Sequence, residues 1–568
     1  MFKPISLFYS DGYKVGHKKM LAKGTTRLYG TWIPRSTKYA PGGIKKILSF
    51  GQQLVVRWLH DEFQEHFFSQ PKEVAIKFTK DMSLYLGMDY DGSHFEALHE
   101  VGYLPIKIKS LPEGIETNPN IPHMTFINTI DGFAWLTLYL ETIISSLAWK
   151  PTTSATIALQ YRRNLVKWVM KTDPANAWLI AFLAHDFSAR GLSPWDMLSS
   201  GLGHASSFRG SDSIIVIPGA RYFYDEPENE VCINSVNASE HSVSTTKIFT
   251  VGEQQMIADW LVDFPKGILS IVSDTFDLWK LITEYLPANK EAFMRSGEYI
   301  LNVNISDFKS GEELIPSLNE NNESFYYRPS DGTSHSTKYI DYLVSGGYIN
   351  YTPGKLVIRP DSGDPVDIIC GLNTRVPIEY FQNTNTPDVK GVIEHLWDIF
   401  GGTINEQGYK VLDSHIGAIY GDSITLDRQI QIYERLEAKG FASTNIVLGV
   451  GSYTYQMNTR DTLGFAAKGA WFEVLETKIT DYGNIGTEAP VMVKVGYDIF
   501  KDPVTDNGTK KSLKGRCAVH IEDGEYVVKI QCTEQEENEG ILQTIYEDGK
   551  FYNQTTLTEI RTRIESLI

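Results

Sequence analysis

Cysteine is scarce: the 568 residues hold four, Cys232, Cys370, Cys517 and Cys532, far apart and with no CxxC pair. That pattern excludes a disulfide framework and a zinc ribbon, and the four read as buried apolar residues in a reducing compartment. Long apolar runs are also missing. No stretch approaches the ~18 uncharged apolar residues of a membrane span, and the start, MFKPISLFYSDGYKVGHKK, has no apolar h-region or small-residue cleavage site. Positive charge is in deficit, with 53 Lys and Arg against 70 Asp and Glu and a formal net charge of −17. Such a surface repels nucleic acid and anionic membranes. The expectation is a soluble, cytoplasmic protein with neither as a partner. An anionic ligand would then need a basic pocket set locally against an acidic background.

What is present is ordinary globular material, 42% apolar and 22% charged, with a generous 12% of aromatic residues suited to large cores or to stacking on a flat ligand. The length calls for at least two packed units. Near the start, Leu54, Val55 and Trp58 share a face of a helix over Gly51–His60, and Leu104–Leu111 alternates as a half-buried strand does. A long helix is expected over Ala155–Met170. A repeated pattern follows, in which a continuous apolar run ends in Asp, Arg, Gly or Ser: Ile268–Asp274, Leu356–Gly363, Ile416–Ser423 and Ile446–Ser452. After the third run, Thr425–Lys439 reads as a helix stopped by Gly440. Apolar strands alternating with helices indicate a parallel sheet covered on both faces, and in a barrel their polar ends converge on one mouth. Asp, Ser and Gly are common in any turn between strand and helix, so one such cluster alone says little. Residues 286–354 and 470–495 look inserted. The closing segment alternates in a β-like way before a final helix, Leu557–Leu567.

The polar ends form an ordered series: HDFSARG (His185–Gly191), FRGSDS (Phe208–Ser213), NASEHS (Asn237–Ser242), VSDTFD (Val272–Asp277), IRPDSG (Ile358–Gly363), YGDS (Tyr420–Ser423) and TRD (Thr459–Asp461). With SDGYKVGH (Ser10–His17) at the start and IFKDPVTD…KKSLKGR (Ile499–Arg516) near the end, the series resembles the nicotinamide phosphoribosyltransferases of the type II phosphoribosyltransferase family. The expected fold is α/β. An irregular parallel α/β barrel over 151–470, carrying the 286–354 insertion, joins a mainly β, α+β domain built from 1–150 and 471–568.

The resemblance implies transfer of an activated ribose 5-phosphate from phosphoribosyl pyrophosphate to nicotinamide, giving nicotinamide mononucleotide in NAD salvage. It also implies a homodimer, Mg²⁺ held through substrate phosphates with Asp361 as a candidate ligand, and ATP as co-substrate. A flat ring with a neutral carboxamide calls for stacking and a few placed polar groups. By the resemblance Phe187 and Tyr13 stack, Tyr13 from the neighbouring subunit. Asp212 accepts from the amide and repels nicotinate, and Arg359 meets the amide oxygen. Arg35 (reaching across the dimer), Arg190, Arg460, Lys468, Lys501 and Lys510 match phosphate-contacting positions. Ser273, Gly421, Asp422, Gly451 and Ser452 match ribose and phosphate turns. His241 matches a histidine phosphorylated by ATP, with Glu240 and Asp277 placed to orient its imidazole and Asp361 beside the ribose.

Three departures fall at the donor end. Gly417 stands where an arginine is usual, the run Ser452, Tyr453, Thr454, Tyr455 replaces a glycine-rich one, and the 286–354 insertion immediately precedes IRPDSG. They admit a second reading, a larger ADP-ribose pyrophosphate donor that would give NAD directly. A third reading, an inactive nucleotide-binding paralogue, is opposed by the presence of His241, Asp212, Phe187, Arg359, Asp361 and Arg460 together.

Overall fold

The computed structural model describes residues 4–264, 267–290, 354–375, 386–421, 423–481, 488–501, 505 and 512–568, with five short strands between 301 and 349. Apart from those strands, residues 286–290 and Gly354, the 286–354 insertion lies outside the described residues. The chain divides into two compact units: 1–163, 188–233 and 452–568 in the first, 164–187 and 234–451 in the second.

The first unit is built on an antiparallel sheet of seven strands. Their order is Glu488–Asp498, Ala466–Asp481, Thr25–Ile33, Met124–Asn128, Ile106–Ser110, Gln543–Glu547 and Lys550–Phe551. N- and C-terminal segments therefore interleave in one sheet, as expected for a mainly β, α+β domain. The stretch 470–495 is no separate insertion, because most of it belongs to the edge strand Glu488–Asp498 and its neighbour Ala466–Asp481. Helix Gln52–Phe63 buries Leu54, Val55 and Leu59 in a core shared with Leu202, Ala205, Val216 and Ala220. Through that packing helices Pro194–Ala205 and Val216–Tyr224 lie with the first unit, although the sequence reading drew 151–470 as one barrel.

The helix expected over Ala155–Met170 is longer, Ala134–Thr172, and the division between the units falls within it at Arg163 and Asn164. Proline usually marks a helix boundary, yet Pro151 sits inside this one, where the neighbouring Thr152 hydroxyl donates to the Phe50 carbonyl at 2.7 Å.

The second unit holds six parallel strands in the order Ala184–Phe187, Ile446–Gly451, Ile416–Tyr420, Lys355–Arg359, Ile268–Val272 and Asn237–Ala238. The consecutive residues Leu356, Val357 and Ile358, and likewise Ala418, Ile419 and Tyr420, are buried, as in a sheet covered on both faces. The sheet curls into a half-barrel, so the expected barrel is present in open form. Every strand runs the same way, and Phe187, Gly451, Gly421, Arg359, Ser273 and Ser239 follow or close the strands on one carboxyl edge.

All four cysteines are buried and free. Among the described residues no helix is long and apolar enough to cross a membrane.

Candidate active site

His241 opens the helix His241–Val251 at the carboxyl edge of the parallel sheet. Its Nδ1 lies 3.2 Å from the Thr275 hydroxyl, and its Nε2 lies 3.8 Å from Asp274 Oδ1 and 3.9 Å from Asp361 Oδ2. Asp274 is buried. Its Oδ2 accepts from the Asp361 amide at 3.0 Å and the Ser362 hydroxyl at 2.5 Å, while its Oδ1 has no hydrogen-bond partner. A buried carboxylate oxygen left open beside an imidazole is costly unless a proton or cation comes to it. Asp361 itself is exposed. A Cβ on Gly421 would come within 2.7 Å of Asp361 Oδ1, so glycine is what lets this turn pass the carboxylate. On the neighbouring strand Arg359 Nη2 donates to the Ser239 carbonyl at 2.6 Å, whereas its buried Nε has no partner. Phe187 closes the strand at one edge of the sheet, its ring 4.6 Å from that of His185.

The first unit contains a pocket of about 580 Å³ lined by Tyr13, Lys14, Arg35, Arg460, Lys468 and Lys501, with Asp11 and Glu141 as its carboxylates and Trp149 in its wall. Glu141 pairs with Lys14 and accepts from the Gly469 amide at 3.0 Å. Burial pushes the Glu141 carboxyl up, against the pull of Lys14. Burial also pushes the Lys468 ammonium down; Glu141 opposes this, and the crowding of Arg35, Lys501 and Lys14 adds to it. Cations gathered this closely in an acidic protein are favourable when a polyanion joins them. Arg35 is fixed by donating Nε to the Gly464 carbonyl at 2.9 Å.

The family model for nicotinate phosphoribosyltransferases matches residues 348–550. The nicotinamide phosphoribosyltransferase of Acinetobacter baylyi is 37% identical over 567 residues, covering 98% of this chain and 96% of the relative. The enzyme of the same name from Mycoplasma pneumoniae is 28% identical, covering 90% and 94%. The crystal structure of human nicotinic acid phosphoribosyltransferase aligns over 98% of this chain and 93% of that one, with a TM-score of 0.48 and 12% identity. The chain belongs to the nicotinamide phosphoribosyltransferase family.

Within that family frame, the residues named from sequence separate into two groups. Phe187, His241, Arg359, Asp361, Gly421 and Gly451 stand on the carboxyl edge of the second unit. Tyr13, Arg35, Arg460, Lys468 and Lys501 line one pocket of the first. Tyr13 and Arg35, expected to serve a neighbouring subunit, therefore share a pocket with Arg460, Lys468 and Lys501 of the same chain. Arg190 and Asp212 are exposed on loops of the first unit. Asp422 and Lys510 lie outside the described residues.

Several roles are corrected by the geometry. Ser273 is fully buried, its hydroxyl donating to the Ile271 carbonyl at 2.8 Å and accepting from the Arg359 amide at 3.1 Å, so it joins two strands and does not face a ribose. The Asp277 carboxylate accepts from the Lys280 amide at 3.0 Å as a helix cap, and the carboxylates beside the imidazole are Asp274 and Asp361. Glu240 is the residue before the helix that His241 opens.

The two tyrosines of the Ser452–Tyr455 run part ways, Tyr453 being exposed and Tyr455 turned inward. Tyr455 is fully buried, with its hydroxyl 2.7 Å from His204 Nδ1 and its carbonyl accepting from Lys150 at 2.5 Å. Ser452 seats against Gly191, where a Cβ would come within 2.3 Å of its hydroxyl. The charge missing at Gly417 is replaced in space by Lys355, whose Nζ lies 3.3 Å from where a Gly417 Cβ would stand. Burial pushes that ammonium down, with Asp413 opposing.

Asp274, Thr275, Lys14 and Glu141 were not singled out from the sequence. The first two lay inside a flagged motif and Lys14 beside Tyr13, whereas Glu141 sits mid-helix with nothing local to mark it.

Proposed function

We propose that this chain transfers the 5-phosphoribosyl group of phosphoribosyl pyrophosphate to the ring nitrogen of nicotinamide, releasing pyrophosphate and forming nicotinamide mononucleotide for NAD salvage. The observation that carries this is the 37% identity, across nearly the whole of both chains, with a nicotinamide phosphoribosyltransferase. Phe187 offers a stacking face, and Arg359, with one arm held and Nε open, donates to the carboxamide oxygen. Asp212 accepts from the amide nitrogen and disfavours the carboxylate of nicotinate. The pyridine nitrogen attacks C1 of the ribose as the C1–pyrophosphate bond breaks, through a transition state of oxocarbenium character. No strong base is needed, because the attacking nitrogen carries no proton. Lys468, Lys501, Arg460 and Arg35 hold the phosphates and take up the charge that develops on the leaving group.

Asp361, exposed beside the open Oδ1 of Asp274, suits a divalent cation, since Mg²⁺ binds through few carboxylates plus substrate oxygens. When bound, Mg²⁺ would neutralise pyrophosphate charge. The two carboxylates beside Nε2 hold a proton there and leave Nδ1, next to the Thr275 hydroxyl, as the basic atom that takes the γ-phosphoryl group of ATP, ADP leaving. The chain acts as a homodimer, and its buried free cysteines suit the cytoplasm.

The test is to incubate the protein with nicotinamide, Mg²⁺ and phosphoribosyl pyrophosphate, with and without ATP, and to identify products by mass spectrometry. A parallel reaction contains ADP-ribose pyrophosphate. Nicotinamide mononucleotide from the first supports the reading. NAD from the second with no mononucleotide from the first refutes the choice of donor, and no product from either refutes the activity.

A further inference from the structure

The loop that carries Asp212 is packed into the first unit in an unusual way. Ser206, Ser207, Phe208, Ser211 and Ser213 are all buried, and Arg209 and Asp212 face outward. Buried loop backbone must find hydrogen-bond partners, and the last carbonyls of a helix favour cations. Here both needs are met by two arginines from distant elements. Arg561, on the C-terminal helix Leu557–Glu565, donates Nε to the Ala205 carbonyl at 2.6 Å and Nη2 to the carbonyls of Cys232 at 2.6 Å and Phe208 at 3.1 Å. Arg162, on the long helix Ala134–Thr172, donates to the Ser207 carbonyl and meets Glu565 at 3.3 Å.

Both guanidiniums give up solvation to do this: burial pushes Arg561 down to about 10 and lowers Arg162 as well. Beyond the clamp the backbone turns tightly. The Ser213 amide donates to the Ser211 hydroxyl at 3.0 Å and the Ile214 amide to the Asp212 carbonyl at 2.9 Å, which shapes the turn about Asp212. Gly210 and Ser211, which join Phe208 to Asp212, are both buried.

We propose that Arg561 and Arg162 are positioning residues for amide selection: through the carbonyls of residues 205, 207 and 208 they set the place of the Asp212 carboxylate, which makes the C-terminal helix part of the acceptor-specificity apparatus. The inference rests on Asp212 acting as the carboxamide acceptor. Lysine at 561 keeps a charge but offers a single point donor in place of a planar fork, so it cannot serve the carbonyls of Ala205, Phe208 and Cys232 together.

The experiment uses full-length protein, with KM and kcat measured separately for nicotinamide and phosphoribosyl pyrophosphate, and the kcat/KM ratio of nicotinamide to nicotinate. Arg561→Lys is expected to raise the nicotinamide KM about tenfold and to lower the amide-to-acid ratio about tenfold, the loss of one charged hydrogen bond. The donor KM is expected to stay within about twofold, inside ordinary mutational scatter. Asp212→Asn should move the ratio in the same direction. A destabilised Arg561→Lys with unchanged nicotinamide KM and unchanged ratio overturns the proposal. If that variant does not fold, Arg162→Gln carries the test through the Ser207 carbonyl alone, and an unchanged ratio there overturns it equally. Wild-type protein that makes no nicotinamide mononucleotide overturns the activity reading instead, which separates the two failures.

Discussion

In the first unit the candidate residues are cations on an antiparallel framework: Lys14, Arg35, Arg460, Lys468 and Lys501 crowd one pocket, and only one of them is tied to a carboxylate within it, Lys14 to Glu141. In the second unit they are a histidine and two carboxylates at the carboxyl edge of a parallel sheet, with one buried oxygen left open. A polyanionic donor needs positive charge that the −17 chain does not supply in general, and the first unit concentrates it. Phosphorylation of an imidazole needs the opposite, negative charge that fixes a proton on one nitrogen, and the second unit supplies that.

The largest effect should follow from breaking the cationic side. Lys468→Ala removes the ammonium that burial, with the crowding of Arg35, Lys501 and Lys14, pushes down, and the donor kcat/KM should fall ~100-fold, as when one charge-assisted contact to a developing anion is lost. Steady-state kinetics with phosphoribosyl pyrophosphate varied at saturating nicotinamide checks this; a loss under threefold would remove the pocket from the donor site. The acidic side is sharpened by a pair of variants. Asp274→Asn should cut ATP-dependent phosphate incorporation at His241 about tenfold, the worth of ~1.4 kcal/mol. Asp277→Asn should leave incorporation within about twofold, because its carboxylate caps a helix and that loss is one of stability. Intact-protein mass spectrometry after incubation with ATP and Mg²⁺ reads both. Equal losses would restore Asp277 to the role that the resemblance implied.

That pair also shows where sequence reasoning stops. The parallel strands were legible because runs such as ILSIV and IVLGVG are continuous and end in polar turns, so their carboxyl edge could be anticipated along with His241, Arg359 and Asp361. Within VSDTFD, however, the sequence reading named Asp277 and passed over Asp274, three residues earlier, and telling the two apart depends on where the strand ends. It ends at Val272, which leaves Asp274 in the turn and Asp277 at the head of a helix. Ser273 was misread for a related reason: its hydroxyl is consumed between two strands whose pairing is invisible from one of them. The helix expected from Ala155 begins at Ala134 and carries Pro151, ordinarily a boundary, inside it. Tyr455 was read as bulk in a phosphate turn because nothing local says that His204 and Lys150 wait beneath it.

The units should also differ in acid. The first buries His94 and His123, and burial pushes both down to about 3 from an ordinary value near 6.5, Lys18 also contributing at His94. These histidines stay neutral in the folded state while the unfolded chain protonates them. Their contribution is therefore complete above pH 6.5 and is lost progressively as pH falls from there toward 3. The slope should be about 1.4 kcal/mol per pH unit for each histidine. Urea denaturation between pH 7.5 and 5, with tryptophan fluorescence as the probe, measures it; His123→Gln should remove about half of the pH dependence that the two histidines contribute. A flat profile would mean that both rings are reached by water in the folded protein.

The smallest change tests whether the donor-side departure in sequence is structural. Tyr455→Phe keeps the ring in its buried place and deletes only the hydroxyl that meets His204 at 2.7 Å. The stability cost should be about 1 kcal/mol, that of one neutral hydrogen bond. The backbone carbonyl that Lys150 holds is untouched, so the turn beginning at Ser452 keeps its anchor and the donor KM should rise less than threefold, under ~0.7 kcal/mol. A larger rise with unchanged stability would mean that the buried hydroxyl tunes the turn itself. The tyrosine run would then be a working part of the phosphate site, no longer a core anchor that happens to replace glycine.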